Sequence, residues 1–165
     1  MVKLRIVSLL CVLLIVSTVT PAADIISAKR LSPDLALEMV KAAVKSCRAD
    51  GYQVTAVVVA SDGAEVALMR DVHASRFTIQ IAREKANAVI LSGIASGVFR
   101  DNRRDIQQEM NHVEGILVLQ GGLPIEAGGY QLGAIGVSGA PGGERDEVCA
   151  RKALNEFQER LEFAE

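Results

Sequence analysis

"LGAIGVSGAPGGERDEVCA", Leu132 to Ala150, opens like a strand, bends through glycines and ends as an acidic helix start. Its reading decides what kind of fold this chain adopts. A phosphate-binding loop needs lysine and then serine or threonine after its glycines, and none follows here. A dinucleotide loop needs G-x-G-x-x-G after a first strand. Gly133, Gly136 and Gly139 are spaced by three instead, so along a strand they fall on alternating faces and thin it on both sides. Gly142-Gly143, followed by Glu144 and Asp146, makes a helix start whose free N–H groups can receive a carboxylate. The acidic first turn already uses part of that field. The stretch is therefore either a packing and turn device or the wall of a ligand pocket. Ten of the fourteen glycines lie between Gly115 and Gly143, which implies backbone closely approached by something.

Working outward, Ser32-Pro33-Asp34 is a helix start, with a capping hydroxyl, a proline suited to the first turn and an acid at the positive helix end. Ala36, Val40, Ala43, Val44 and Cys47 share one face, and Asp50-Gly51 stops the helix. Val54 to Val59 is a β-branched strand, Asp62-Gly63 a hairpin turn, and Glu65 to Arg70 the returning strand. A broad apolar helix spans Arg76 to Leu91 and ends at Ser92-Gly93. A looser segment and a short polar helix around Arg104 to Glu109 follow. Gly115 to Leu119 reads as a further strand. Pro124 to Glu126 and Gln131 to Val137 pair through Gly128-Gly129. Glu144 to Leu161 closes the chain as one amphipathic helix, with Val148, Ala153, Leu154 and Phe157 inward. With few connections long enough for parallel crossovers, the elements predict a mainly antiparallel five-stranded sheet covered by helices.

The 165 residues suggest one domain, half apolar and without tryptophan. The first 23 stand apart: Lys3 and Arg5, an apolar run from Ile6 to Val19, then Thr20-Pro21-Ala22-Ala23. That is the layout of a secretory signal peptide, and the run is short for a membrane span. It leaves residues 24–165 as the mature domain, in the periplasm or secreted, with no stable membrane insertion. Losing Lys3 and Arg5 takes the net charge from -2 to -4, which argues against nucleic acid. The mature chain keeps Cys47 and Cys149, in the first and last helices. They are either a disulfide, which requires those helices to be neighbours, or two buried thiols.

Candidate chemistry is sparse. His73 follows Asp71 after the first hairpin, and His112 ends the short polar helix. Neither has metal-ligand spacing, and no metal site is expected from them. An iron porphyrin needs only one or two axial ligands, apolar walls and cations for its propionates. Arg70, Arg76, Arg100 and Arg104 are available as those cations. Equally, His73 can pair with Asp71 and His112 with Glu109 or backbone. Ser138-Gly139 lacks a nucleophile elbow, and Asp101 and Asp105 read as a solvated face. Glu126, Tyr130, Gly142 and Gly143 are the candidate lining of a compact polar pocket for a small organic acid.

"GGLPIEAGG", Gly121 to Gly129, followed by "GAIGVSGAPGGERDEVCA", Gly133 to Ala150, strongly resembles the GlcG/HbpS-like family, and "REKANAV", Arg83 to Val89, looks like its central helix. This is the haem-degrading or haem-binding domain also found at the end of some corrinoid adenosyltransferases. The resemblance covers roughly residues 31–157. It implies an antiparallel sheet flanked by helices, dimers or larger rings, and frequent secretion. Together with the elements above it gives an α+β, profilin-like expectation. In one common version of the family a histidine and a threonine open the central helix, eight residues before its lysine. Here Phe77 and Thr78 stand there, and His73 lies four residues earlier. Phe77 can stack near a planar ligand or fill the core. The resemblance implies an exported haem-binding protein serving storage, protection, sensing or weak oxidative degradation, with catalysis left open. The alternatives are a non-catalytic small-molecule-binding accessory protein and an enzyme acting on a small organic acid.

Overall fold

Ser32 starts the first helix as its residue type dictates: its side chain accepts from Leu35 N at 3.2 Å, and α1 runs Pro33–Ala49. The computed structural model describes residues 28–163; the expected signal peptide, residues 1–23, lies outside them. After α1 come β1 (Thr55–Ala60), β2 (Glu65–Arg70), α2 (Phe77–Ser92), α3 (Ser96–Asn102), α4 (Gln107–Met110), β3 (Gly122–Ala127), β4 (Tyr130–Ser138), α5 (Gly143–Glu156) and α6 (Gln158–Glu162).

The sheet has four strands in the order β2-β1-β4-β3, every pair antiparallel. This corrects the five-stranded, profilin-like expectation. Residues 115–119 do not join the sheet because their polar backbone is satisfied elsewhere. Leu117 N donates to the Glu84 carbonyl of α2 at 3.3 Å. Val118 N donates to Asn111 Oδ1 at 2.7 Å, and Val118 O accepts from Gln107 Nε2 at 3.0 Å. The final helix is also two helices, broken at Phe157. Of its expected inward residues Val148 is exposed, and Cys149 and Ala150 take its place. The helix α3, which contains Gly97, was not foreseen.

The central strand β1 is buried on both faces. Val54, Ala56 and Val58 meet α1 and α5 together with Ile135 and Val137. Val57 and Val59 meet Ala82, Ala86 and Val89 of α2 on the other side. The glycines of the decisive stretch explain how α2 gets so close. Gly136 and Gly122 are paired across β4 and β3. A Cβ on Gly122 would lie 2.5 Å from the Lys85 carbonyl oxygen, and one on Gly136 would overlap the Ala82 carbonyl. The backbone is approached by a helix, not by a phosphate. Gly136→Ala therefore pushes α2 off the sheet and costs at least about 1–3 kcal/mol, the range for overpacking. Thermal unfolding checks this; an unchanged melting temperature would show that α2 has room to move.

Candidate functional site

The turn between β2 and α2 brings an exposed histidine, two exposed arginines and two exposed apolar side chains together within eight residues. Arg70, Val72, His73, Arg76 and Phe77 are all exposed there. Asp71 is not: it is 5% exposed and anchors the turn. Its carboxylate accepts from Arg48 Nε at 3.0 Å, from Arg48 Nη2 at 2.9 Å and from Val72 N at 3.0 Å. Its own N–H donates to Val54 O, and its carbonyl accepts from Ala74 N. Arg70 Nη1 donates to the Ala74 carbonyl. Arg76 stacks on the Phe77 ring, 4.4 Å from guanidinium carbon to ring centre. Phe77 is 60% exposed, so it does not fill the core. The next residue does turn inward: Thr78 Oγ1 lies 2.7 Å from Thr55 Oγ1 of β1. The helix α2 has no acid in its first turn, and its first three N–H groups are already taken: Phe77 N donates to Ser75 Oγ at 3.4 Å, Thr78 N to Ser75 O at 3.1 Å and Ile79 N to Arg76 O at 3.4 Å.

The Arg48 hydrogen bonds hold the Asp71 carboxyl below its ordinary range, against the upward push of burial. A depressed carboxylate contributes stability above its unfolded value of 3.8, and that contribution disappears as pH falls through the lowered folded value. Wild type is therefore more stable than Arg48→Ala at neutral pH, and the gap closes in acid. Melting curves taken from neutral pH down past 3.8 check this. A gap independent of pH would mean that the pair contributes only packing.

The other expected site residues do not converge on this turn. His112 is exposed beyond α4, and its backbone N–H donates to Glu109 O at 3.0 Å. Arg104 pairs with Asp101 at 3.0 Å, as Arg100 does at 3.1 Å, so this cluster is an exposed network of ion pairs. Both His112 and Arg104 follow α2, whereas His73 precedes it, and no hydrogen bond or ion pair among the described residues joins either to the turn. The polar pocket around Glu126, Tyr130 and Gly142-Gly143 does not form as one site. Tyr130 shares a cleft of about 410 Å³ with Ser61, Gln131 and Lys29. Glu126 lines a different groove, of about 350 Å³, with Leu154 and Gln158. Gly142 and Gly143 begin α5, beyond the opposite end of β4 from Tyr130. There Glu144 folds its carboxylate against Gly142. Asp146 Oδ1 accepts from Ala140 N at 2.9 Å. The chain's own acids occupy the place where an anion was considered.

One pair escaped the sequence reading. Lys85 is the largest fully buried side chain. Its Nζ donates to Asp146 Oδ2 at 2.7 Å and to the Val137 carbonyl at 3.0 Å. Burial pushes the Lys85 amine down and the Asp146 carboxyl up, and the attraction between them opposes both shifts. The signal was present: a lysine among Ala82, Ala86 and Val89 on the sheet-facing side of α2 requires an acid at its tip. Beside it, the Cys47 and Cys149 sulfurs are bonded, which joins α1 to α5. Among the described residues no three His, Cys, Asp or Glu side chains group as a metal site, and no helix is long and apolar enough to cross a membrane.

The family described as "Haem degrading protein HbpS-like" matches residues 31–155. The chain belongs to the HbpS-like family. Two crystal structures of HbpS, one of them a double glutamate-to-aspartate variant from Streptomyces reticuli, resemble it with a TM-score of 0.77 at 26% identity. They cover 83% of this chain, which in turn covers 93% and 96% of theirs. A PduOC–haem complex resembles it with a TM-score of 0.67 at 22% identity, over 77% of this chain and 94% of that one, which supports the fold alone. No curated protein matches the chain. Within the HbpS-like fold, Phe77 and Thr78 occupy the first two positions of the central helix, and Lys85 is the central helix lysine that closes on Asp146.

Proposed function

We propose that this chain is an exported haem-binding protein and that the turn from Arg70 to Phe77 holds the haem. Membership of the HbpS-like family is the observation that carries haem binding. The residues present fit the group. His73 is exposed, and no hydrogen bond among the described residues engages its ring, so its ring nitrogen would be free to hold the iron. Val72, 74% exposed, and Phe77 offer apolar surface to a flat ring. Arg76 and Arg70, both exposed, suit the propionates. Bound there, haem would supply a redox-active iron; the protein's part is to ligate, orient and neutralise it.

Export is supported by the layout of residues 1–23 and by the Cys47–Cys149 bridge, which persists in oxidising compartments such as the periplasm or the extracellular space. Self-association, as a dimer or larger ring, is supported by exposed Leu91 in the last turn of α2 and exposed Val98 and Val113 on the segments after it. Sedimentation reads this directly, and a monomer at working concentration removes that part of the reading.

Titrating haem into the mature protein tests the function. A Soret band that shifts and saturates near one equivalent per chain is expected. Absorbance that rises in proportion to added haem, without a shift, would mean that no specific site exists.

A further inference from the structure

The turn proposed to hold the ligand is not a free loop, and the residue that clamps it is tied to the disulfide. Arg48 follows Cys47 directly in the last turn of α1. Cys47 is bonded to Cys149 of α5, and the two are 0% and 1% exposed. Three residues before Cys149, Asp146 is bonded to Lys85 of α2. The helix α2 begins where the turn ends. A closed circuit results: from the turn along α2 to Lys85, across to Asp146 and Cys149 of α5, across to Cys47 and Arg48 of α1, and back to the turn at Asp71. Every crossing is a covalent bond or a hydrogen-bonded ion pair.

From this circuit we infer that Arg48 is a positioning residue, and that the Cys47–Cys149 bridge sets the order of the His73 turn by fixing the helix end that carries Arg48. The two parallel bonds from Arg48 to Asp71 need the planar fork of the guanidinium held at one angle. Arg48 is half exposed, with 52% of its side chain open to solvent, so its own packing does not set that angle. The backbone of α1 sets it. The Cys47 carbonyl accepts from both Asp50 N and Tyr52 N, at 3.1 and 2.9 Å, so the residue in the bridge is also the one that closes the helix end. Releasing the sulfur frees that helix end, and the Asp71 clamp loosens with it. The turn's own hydrogen bonds, Val72 N to Asp71 Oδ1 and Ala74 N to Asp71 O, report the change.

The link to ligand binding rests on the proposed site; the clamp itself does not. Amide hydrogen exchange on the full mature chain separates the two. Three proteins are compared with wild type: Cys47→Ala/Cys149→Ala, Arg48→Ala and Arg48→Lys, the last two with the bridge confirmed by thiol titration. Exchange at Val72 and Ala74 is expected to rise about tenfold in the cysteine variant beyond any rise in β1 and β4, the scale of losing a hydrogen bond to a charged group. Arg48→Ala is expected to give the same local rise with the strands unchanged, and lysine, lacking the fork, to rescue it only in part. A rise in the cysteine variant no larger at the turn than in the strands would overturn the inference. So would Arg48→Ala exchanging like wild type, a result that stands even if the cysteine variant does not fold. Haem affinity is measured on the same proteins. A loosened turn with no haem binding in any of them keeps the clamp and rejects the site.

Discussion

Lys85→Met lowers stability by about 3–5 kcal/mol, the cost of leaving one member of a buried ion pair without its partner. Lys85 is 1% exposed and Asp146 3% exposed, so water cannot replace the lost cation. Asp146 keeps the N–H of Ala140 but loses the ammonium at 2.7 Å. The Val137 carbonyl loses its donor as well. For a domain of this size the melting temperature falls on the order of 10–20 °C. The pH dependence has a defined sign. Burial already raises the Asp146 carboxyl above its ordinary 3.8, and removing the cation raises it further. A folded value above the unfolded one means that the folded protein takes up the proton more readily, so acid favours folding through this group. The deficit of Lys85→Met therefore shrinks as pH falls toward 3.8. Thermal melts of the variant and wild type across that range measure both effects. A loss below about 1 kcal/mol, the range of an exposed pair, would show that the pair is solvated in solution.

Cys47→Ala/Cys149→Ala costs about 4–5 kcal/mol on the chain-entropy estimate for a loop of about 100 residues. The bridge closes a sequence separation of 102, most of the described residues 28–163, so it removes a large share of the unfolded chain's freedom. It also joins two helices that cover the same face of the sheet. Denaturant unfolding of the variant against oxidised wild type gives the number. A difference under about 1 kcal/mol would mean that native strain or a compact unfolded state cancels the effect.

The elements nearest to strong local signals were legible. Ser32-Pro33, Asp62-Gly63 and Gly128-Gly129 mark a helix start and two hairpin turns whose chemistry is settled within a few residues. Residues 115–119 misled because an apolar run does not say whether its backbone partners are a strand or the side chains of Asn111 and Gln107. Phe157 looked like one more inward position on a continuous helix, yet it ends α5 and is still buried at 8%. At the candidate site, His73, Arg70, Arg76 and Phe77 were visible as a cluster by adjacency alone. Asp71 was visible too, but as a partner for His73. Its bonds go to Arg48, which is 23 residues away and reached only through the fold. The Lys85–Asp146 bond spans 61 residues and was hidden for the same reason. The compact pocket of Glu126, Tyr130 and Gly142 failed on strand length, since an extended β4 holds its two ends apart.

The claim that the β2–α2 turn carries the haem iron is tested most directly by haem titration of His73→Ala and His112→Ala beside wild type, followed at the Soret band. The account predicts that His112→Ala saturates like wild type, while His73→Ala loses the wild-type band position and binds at least about tenfold more weakly, as expected when a metal ligand is removed. Identical titrations for all three proteins, or a loss confined to His112→Ala, would contradict it and move the iron away from this turn.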